Sequence, residues 1–162
     1  MNTRDCISDH FKWCARYEVK KYHSKDDKDP YETLTDGKNV VLDDGANAML
    51  RLICGEDIWP FDNENAMICV SNSATPESPS QTGVLGTEYF HAPMDSGYPV
   101  VDGRQVTFRS TFEASEANFR WREVCITNGD NENSVSLNRK VVDFRTKDGE
   151  IWIMQIVISM LS

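Results

Sequence analysis

The sequence predicts a mainly β domain, an antiparallel β-sandwich or barrel with one short α-helix in its N-terminal half. Two observations carry this: six or more segments with period-2 apolar alternation, separated by turn signals at roughly 10-residue intervals, and a single segment with helical periodicity. The length of 162 residues suits one domain. Hydrophobic residues at 40% and charged residues at 27% place it among folded chains and away from disordered ones.

The first strand spans residues 11–22, where Phe11, Trp13, Ala15, Tyr17 and Val19 share one face and Lys12, Arg16, Glu18 and Lys20 the other. Residues 1–10 precede it as an N-terminal arm, so the β-rich domain occupies 11–162. Residues 23–30, polar and ending in Pro30, form an exposed loop. Tyr31 to Thr35 pairs back as a second strand, with Asp36-Gly37 turning the chain before Val40 and Val41. Ala46, Met49, Leu50 and Ile53 then fall at i, i+3, i+4 and i+7 and predict a helix of about three turns with that face buried. Asp43 or Asp44 suits its N-terminus, and Gly55 its left-handed C-terminal cap.

From residue 66 onward the signals are all strand and turn. Ala66 to Val70 leads into a Ser/Thr/Pro/Gly-rich loop over 71–86, too long for a tight connection and therefore a candidate functional segment. Strands follow at Val106 to Phe112, Phe119 to Thr127 and Ser134 to Phe144, with turns at Asp102-Gly103, Asn128-Gly129 and Asp148-Gly149. The last strand, Ile151 to Leu161, is apolar on both faces. Trp152, Met154, Ile156, Ile158 and Met160 line one of them. A two-sided apolar strand requires either a central position under an extra layer or a subunit interface, and these five residues are the interface candidates.

A net charge of −9 opposes binding to phosphate backbones, so nucleic acid is excluded as an expected partner. The N-terminal residues carry no apolar core, and no window has the ~18 apolar residues of a membrane span. Synthesis in a cytoplasm without membrane insertion is the expectation. Five cysteines, Cys6, Cys14, Cys54, Cys69 and Cys125, lack CxxC spacing, and their odd number forbids complete intrachain pairing; reduced thiols are the default.

Chemistry-bearing patterns are few. His10, His23 and His91 have no ligand-spaced partner, and the Cys6/His10/Cys14 proximity lies at a strand edge unsuited to activating a thiol. Asp62 to Asn65 and Asp130 to Asn133 offer oxygen ligands but lack the glycine and distal Glu of a calcium loop, so they read as solvated turns. No nucleophile-elbow, zinc-protease or phosphate-loop motif occurs. Neither catalytic nor metal residues nor a cofactor are therefore expected; a hydrolase with an unrecognised carboxylate pair would reveal itself as a strongly perturbed Glu or Asp in a cleft.

One polar residue looks placed. Period-2 counting points Glu123 inward with Phe119, Trp121 and Cys125, where its charge needs a partner. Arg139 or Arg109 supplies it, and the expected role of a Glu123–Arg139 pair is structural rather than a raised-pKa catalytic acid.

The order of blocks resembles a family. Asn39 to Leu50 (NVVLDDGANAML) is similar to the "N-L-V-T-N-x-G-x-N-x-L-L" opening of small structural proteins of tailed bacteriophages. Ile68 to Pro76, Leu85 to Glu88, Val106 to Phe112, Glu116-Ala117-Asn118, Arg122 to Ile126 and Leu137-Asn138-Arg139 follow in that group's order, across roughly residues 39–160. The chain departs from the pattern at Val70 to Ser73, in place of a glycine-rich turn, and at Cys125, in place of a glycine. The resemblance implies a non-enzymatic, homo-oligomeric virion component that docks on other virion proteins at the tail, neck or collar, or fibre base. Capsid decoration is the alternative. It also implies that thiols reduced during synthesis can form an intersubunit disulfide after lysis, with Cys6 and Cys14 as candidates. A different class of function, a glycan-binding module for a host surface, would use exposed aromatics such as Tyr89, Phe90 and Tyr98.

Overall fold

Alternating apolar side chains build two five-stranded sheets that share one core. The computed structural model describes residues 12–38 and 40–161. One sheet runs in the order β2 (Glu32–Gly37), β1 (Lys12–Tyr22), β10 (Ile151–Leu161), β7 (Gln105–Phe112), β6 (Val100–Asp102). The other runs β3 (Val40–Val41), β9 (Asn138–Thr146), β8 (Arg120–Thr127), β4 (Met67–Ser71), β5 (Tyr89–Pro93). Every pairing is antiparallel, and the fold is a β-sandwich with one helix, α1 (Asp43–Ile53). β5 and β6 are additions to the sequence reading.

The core takes Tyr17, Val19, Phe108 and Phe112 from the first sheet and Ile68, Val70, Trp121, Val124, Ile126 and Phe144 from the second. Trp152, Met154, Ile156 and Ile158 belong to it too, with at most 1% of each exposed. This corrects the sequence expectation: these four interface candidates face the opposite sheet of their own chain, and only Met160 is exposed. β10 is central, between β1 and β7. Its outer stripe of Ile153, Gln155 and Val157 lies between Lys20, Glu18 and Arg16 on one side and Thr111, Arg109 and Thr107 on the other. Long polar side chains lay their aliphatic stems over such a stripe, leaving it half-buried without a partner subunit.

A buried lysine closes one end of the sandwich. Lys21 Nζ donates to Glu32 Oε2 (2.7 Å) and to the Phe144 carbonyl (2.9 Å), and lies 4.1 Å above the Trp152 ring. Lys147, also buried, donates to the carbonyls of Glu113 (2.6 Å) and Glu116 (2.8 Å), tying the 113–119 turn to β9.

α1 buries a different face from the one its large apolar residues suggest. Gly45 and Ala48 are buried, whereas Leu50 and Ile53 are exposed. Leu42 is the N-cap, so Asp43 and Asp44 sit inside the first turn, where their charge meets the positive end of the helix dipole. Gly55 follows the Cys54 cap with φ +73°, as expected of a C-terminal glycine. At Gly45 a Cβ would lie 2.2 Å from the Leu137 carbonyl oxygen, so glycine alone lets the helix backbone approach β9 this closely. Gly45→Ala is expected to destabilise the domain by about 3 kcal/mol, because backbone on both sides must move. Urea denaturation measures it, and a loss within about 0.5 kcal/mol would contradict the close packing.

Candidate functional site

The loop between β4 and β5 folds back over the outer face of the second sheet and is held there by charge. A bulge between Trp121 and Glu123 reverses the side-chain parity of β8: Trp121 enters the core, but Glu123 and Cys125 turn to the other face, beneath the loop. Glu123 therefore does not share a face with Trp121 as counted from the sequence. Its pairing with Arg139 is present, with Nε 2.7 Å from Oε2 and neither side chain exposed. Arg109 lies elsewhere, 3.0 Å from Asp95.

This pair anchors the loop. The amides of Leu85 and Gly86 donate to Glu123 Oε1 at 2.9 and 2.7 Å, and Arg139 Nη1 donates to the Thr75 carbonyl (2.9 Å) and Gln81 Oε1 (3.1 Å). Asn72 closes the neck by accepting the amides of Thr87 and Glu88, and Pro79 accepts the Asp43 amide at the start of α1. The 71–86 segment thus fixes the helix against the sheet.

Under the loop, Cys69 faces Cys125 on one side and His91 on the other. Burial, and then the nearby Glu123 charge, pushes the Cys69 thiol up to about 12, and burial raises Cys125 as well. Burial also holds the His91 imidazole below its usual range. Such thiols stay protonated and unreactive. Cys14 is a free, half-buried thiol, and its proposed partner Cys6 lies outside the described residues, as do the 1–10 arm and His10.

The two acidic loops make ordinary turns: Asp62 Oδ1 accepts the Asn65 amide (2.9 Å), and Asn131 and Ser134 bond each other (3.0 Å). Among the described residues, no three His, Cys, Asp or Glu side chains converge on a metal position. Lys21 holds the Glu32 carboxyl, and Arg120 the Asp143 carboxyl, below the usual carboxylate range, opposite to what a general acid needs. Of the aromatics proposed for glycan binding, Tyr89 is exposed, but Phe90 packs against Phe112 and Tyr98 lies beneath Arg109.

Large apolar side chains are exposed at several places, Tyr89 and Val101 among them, and two lie on α1. Leu50 is 63% and Ile53 80% exposed on one side of the helix. On another side, Asp44, Asn47 and Arg51 line a cleft of about 580 Å³ whose far wall is Trp59 and the 128–135 loop. Sequence reasoning passed over Trp59 because it sits in no periodic segment; the adjacent Pro60 is the only local signal. Comparison with family models, curated proteins and solved structures finds no match, so the resemblance to phage structural proteins rests on the motif order alone.

Proposed function

We propose that this chain is a non-enzymatic structural component of a tailed-phage virion that docks on other virion proteins through the exposed side of α1. The observation that carries the reading is Leu50 and Ile53, two large aliphatic side chains presented to solvent on a helix fixed by the Gly45–Leu137 contact and the anchored loop. Rigid presentation of apolar side chains lowers the ordering cost of association. The motif order from Asn39 to Arg139 supports the virion assignment.

Four of the five β10 interface candidates lie in the core, so the homo-oligomer that the resemblance implies would form through another surface. On a chain of net charge −9, the partner surface that fits the exposed side of α1 is an apolar socket rimmed by Lys or Arg. Capsid decoration is the same chemistry at a higher copy number.

The test is a Leu50→Asp/Ile53→Asp double variant supplied to a phage lacking its own copy of the gene. Because both side chains are exposed, its melting temperature should match wild type. Its incorporation into purified particles should fall about tenfold or more, as expected when two anchor residues are lost. Wild-type incorporation of the folded variant would remove α1 from the docking surface.

A further inference from the structure

We infer that the cleft between α1 and the 128–135 loop binds a neutral or amino-bearing saccharide, with Trp59 as its stacking platform. Trp59 is 43% exposed, yet it is fixed. Its carbonyl accepts Asn128 Nδ2 at 2.8 Å, and Asn128, itself 2% exposed, takes the Val135 amide on Oδ1. At Gly129 a Cβ would lie 3.2 Å from one ring carbon of Trp59, so the indole rests on this glycine's backbone. An apolar ring is thus held open to solvent by a polar scaffold behind it.

The other walls have matching chemistry. Asp44 and Asn47 on the helix, Asp57 before the tryptophan, and Glu132 and Asn133 on the loop line the same cleft. All five are exposed, and none of their side chains hydrogen-bonds or pairs with another described residue. Arg51 is neutralised by Glu56. A pyranose presents C–H bonds on one face and hydroxyls around its edge. The first suit an indole, and the second donate to carboxylates and accept from amides. The volume of about 580 Å³ falls within the roughly 300–1,000 Å³ of small-ligand sites. Asp44, Asp57 and Glu132 repel an acidic sugar and leave an amino or N-acetyl group welcome.

The residues of this site differ from those of the docking patch. Asp44, Asn47 and Arg51 line the cleft, while Leu50, one i+3 step from Asn47, and Ile53 lie outside it, so the two patches border each other on α1.

The test is titration of the full chain with chitohexaose, maltohexaose and hexagalacturonate, read by calorimetry and by acrylamide quenching of tryptophan fluorescence. Trp121 and Trp152 are fully buried and Trp13 is half-buried, so shielding is assigned to Trp59 where Trp59→Ala removes it. Saturable binding of a neutral or N-acetylated hexasaccharide that shields fluorescence is expected, with none of hexagalacturonate. Trp59→Ala should weaken it about tenfold or more and Trp59→Phe less. Since Trp59 contacts Gly129, the exposed-site variants Asn47→Ala and Glu132→Gln provide a second arm. Each should weaken binding about threefold or more at unchanged melting temperature. The inference is overturned if no hexasaccharide saturates, if only hexagalacturonate binds, or if binding survives both Trp59→Ala and the exposed-site changes.

Discussion

Arg139→Ala is expected to cost about 3–5 kcal/mol of unfolding free energy, the penalty of leaving a buried carboxylate without its counter-charge. Neither Arg139 nor Glu123 is exposed, and the pair meets at 2.7 Å beneath the 72–88 loop. Loss of the guanidinium also frees the Thr75 carbonyl and Gln81, which it holds by Nη1. Glu123→Ala should cost a similar amount, since Arg139 and the amides of Leu85 and Gly86 lose their acceptor. Replacing both by apolar residues, Glu123→Leu with Arg139→Met, should destabilise by about 2 kcal/mol less than the sum of the singles. Urea denaturation of the set gives the cycle, and limited proteolysis should cut first within 72–88 in each variant. Additive losses, or a protected loop in Arg139→Ala, would contradict a pair that anchors the loop.

Trp121→Ala comes second, at about 3–5 kcal/mol. Its ring lies between Phe112 (centroids 4.5 Å) and Trp152 (4.7 Å), and Nε1 donates to the Ala117 carbonyl at 3.0 Å. Truncation opens a cavity that edge-to-face neighbours on the facing sheet cannot fill and leaves the Ala117 carbonyl with the Phe119 amide as its remaining donor. Trp121→Phe keeps most of the ring volume and should cost about half as much. Guanidinium unfolding monitored by far-UV circular dichroism distinguishes the two. Equal, small losses would mean the aromatic stack contributes little.

The fold class was legible because long strands keep their period: β1 and β7 stand where Trp13–Val19 and Val106–Phe112 alternate, and β10 where Ile151–Leu161 is apolar on both faces. β5 and β6 were not, since a five-residue strand ending in Pro93 and a three-residue strand with every residue exposed carry no usable periodicity. The α1 orientation was lost to a rule that weighs side-chain size. Leu50 and Ile53 look like a core face, but the small Gly45 and Ala48 allow a closer backbone approach than they do. For the candidate site, the need to pair Glu123 was readable from the cost of a buried charge, and Arg139 from its type. Which face Glu123 occupies was not readable, because one bulge reverses parity without a glycine to mark it. β10 shows the opposite hazard. Its apolarity on both faces suggested an interface through the Trp152–Met160 face, whereas that face meets the opposite sheet and neighbouring strands supply the Arg, Lys and Glu stems that flank the other.

The proposal that the chain works as a docking component of a particle is tested most directly by quantitative, cross-linking mass spectrometry of intact tailed particles purified from a lysate expressing this sequence. The account predicts the chain in the particle fraction at fixed stoichiometry, with cross-links from Lys or acidic residues near α1 to a different virion protein. Low copy number places it at tail, neck or fibre base, and hundreds of copies make it a decoration protein. Recovery of the chain only in the soluble fraction, with none in intact particles, would contradict it.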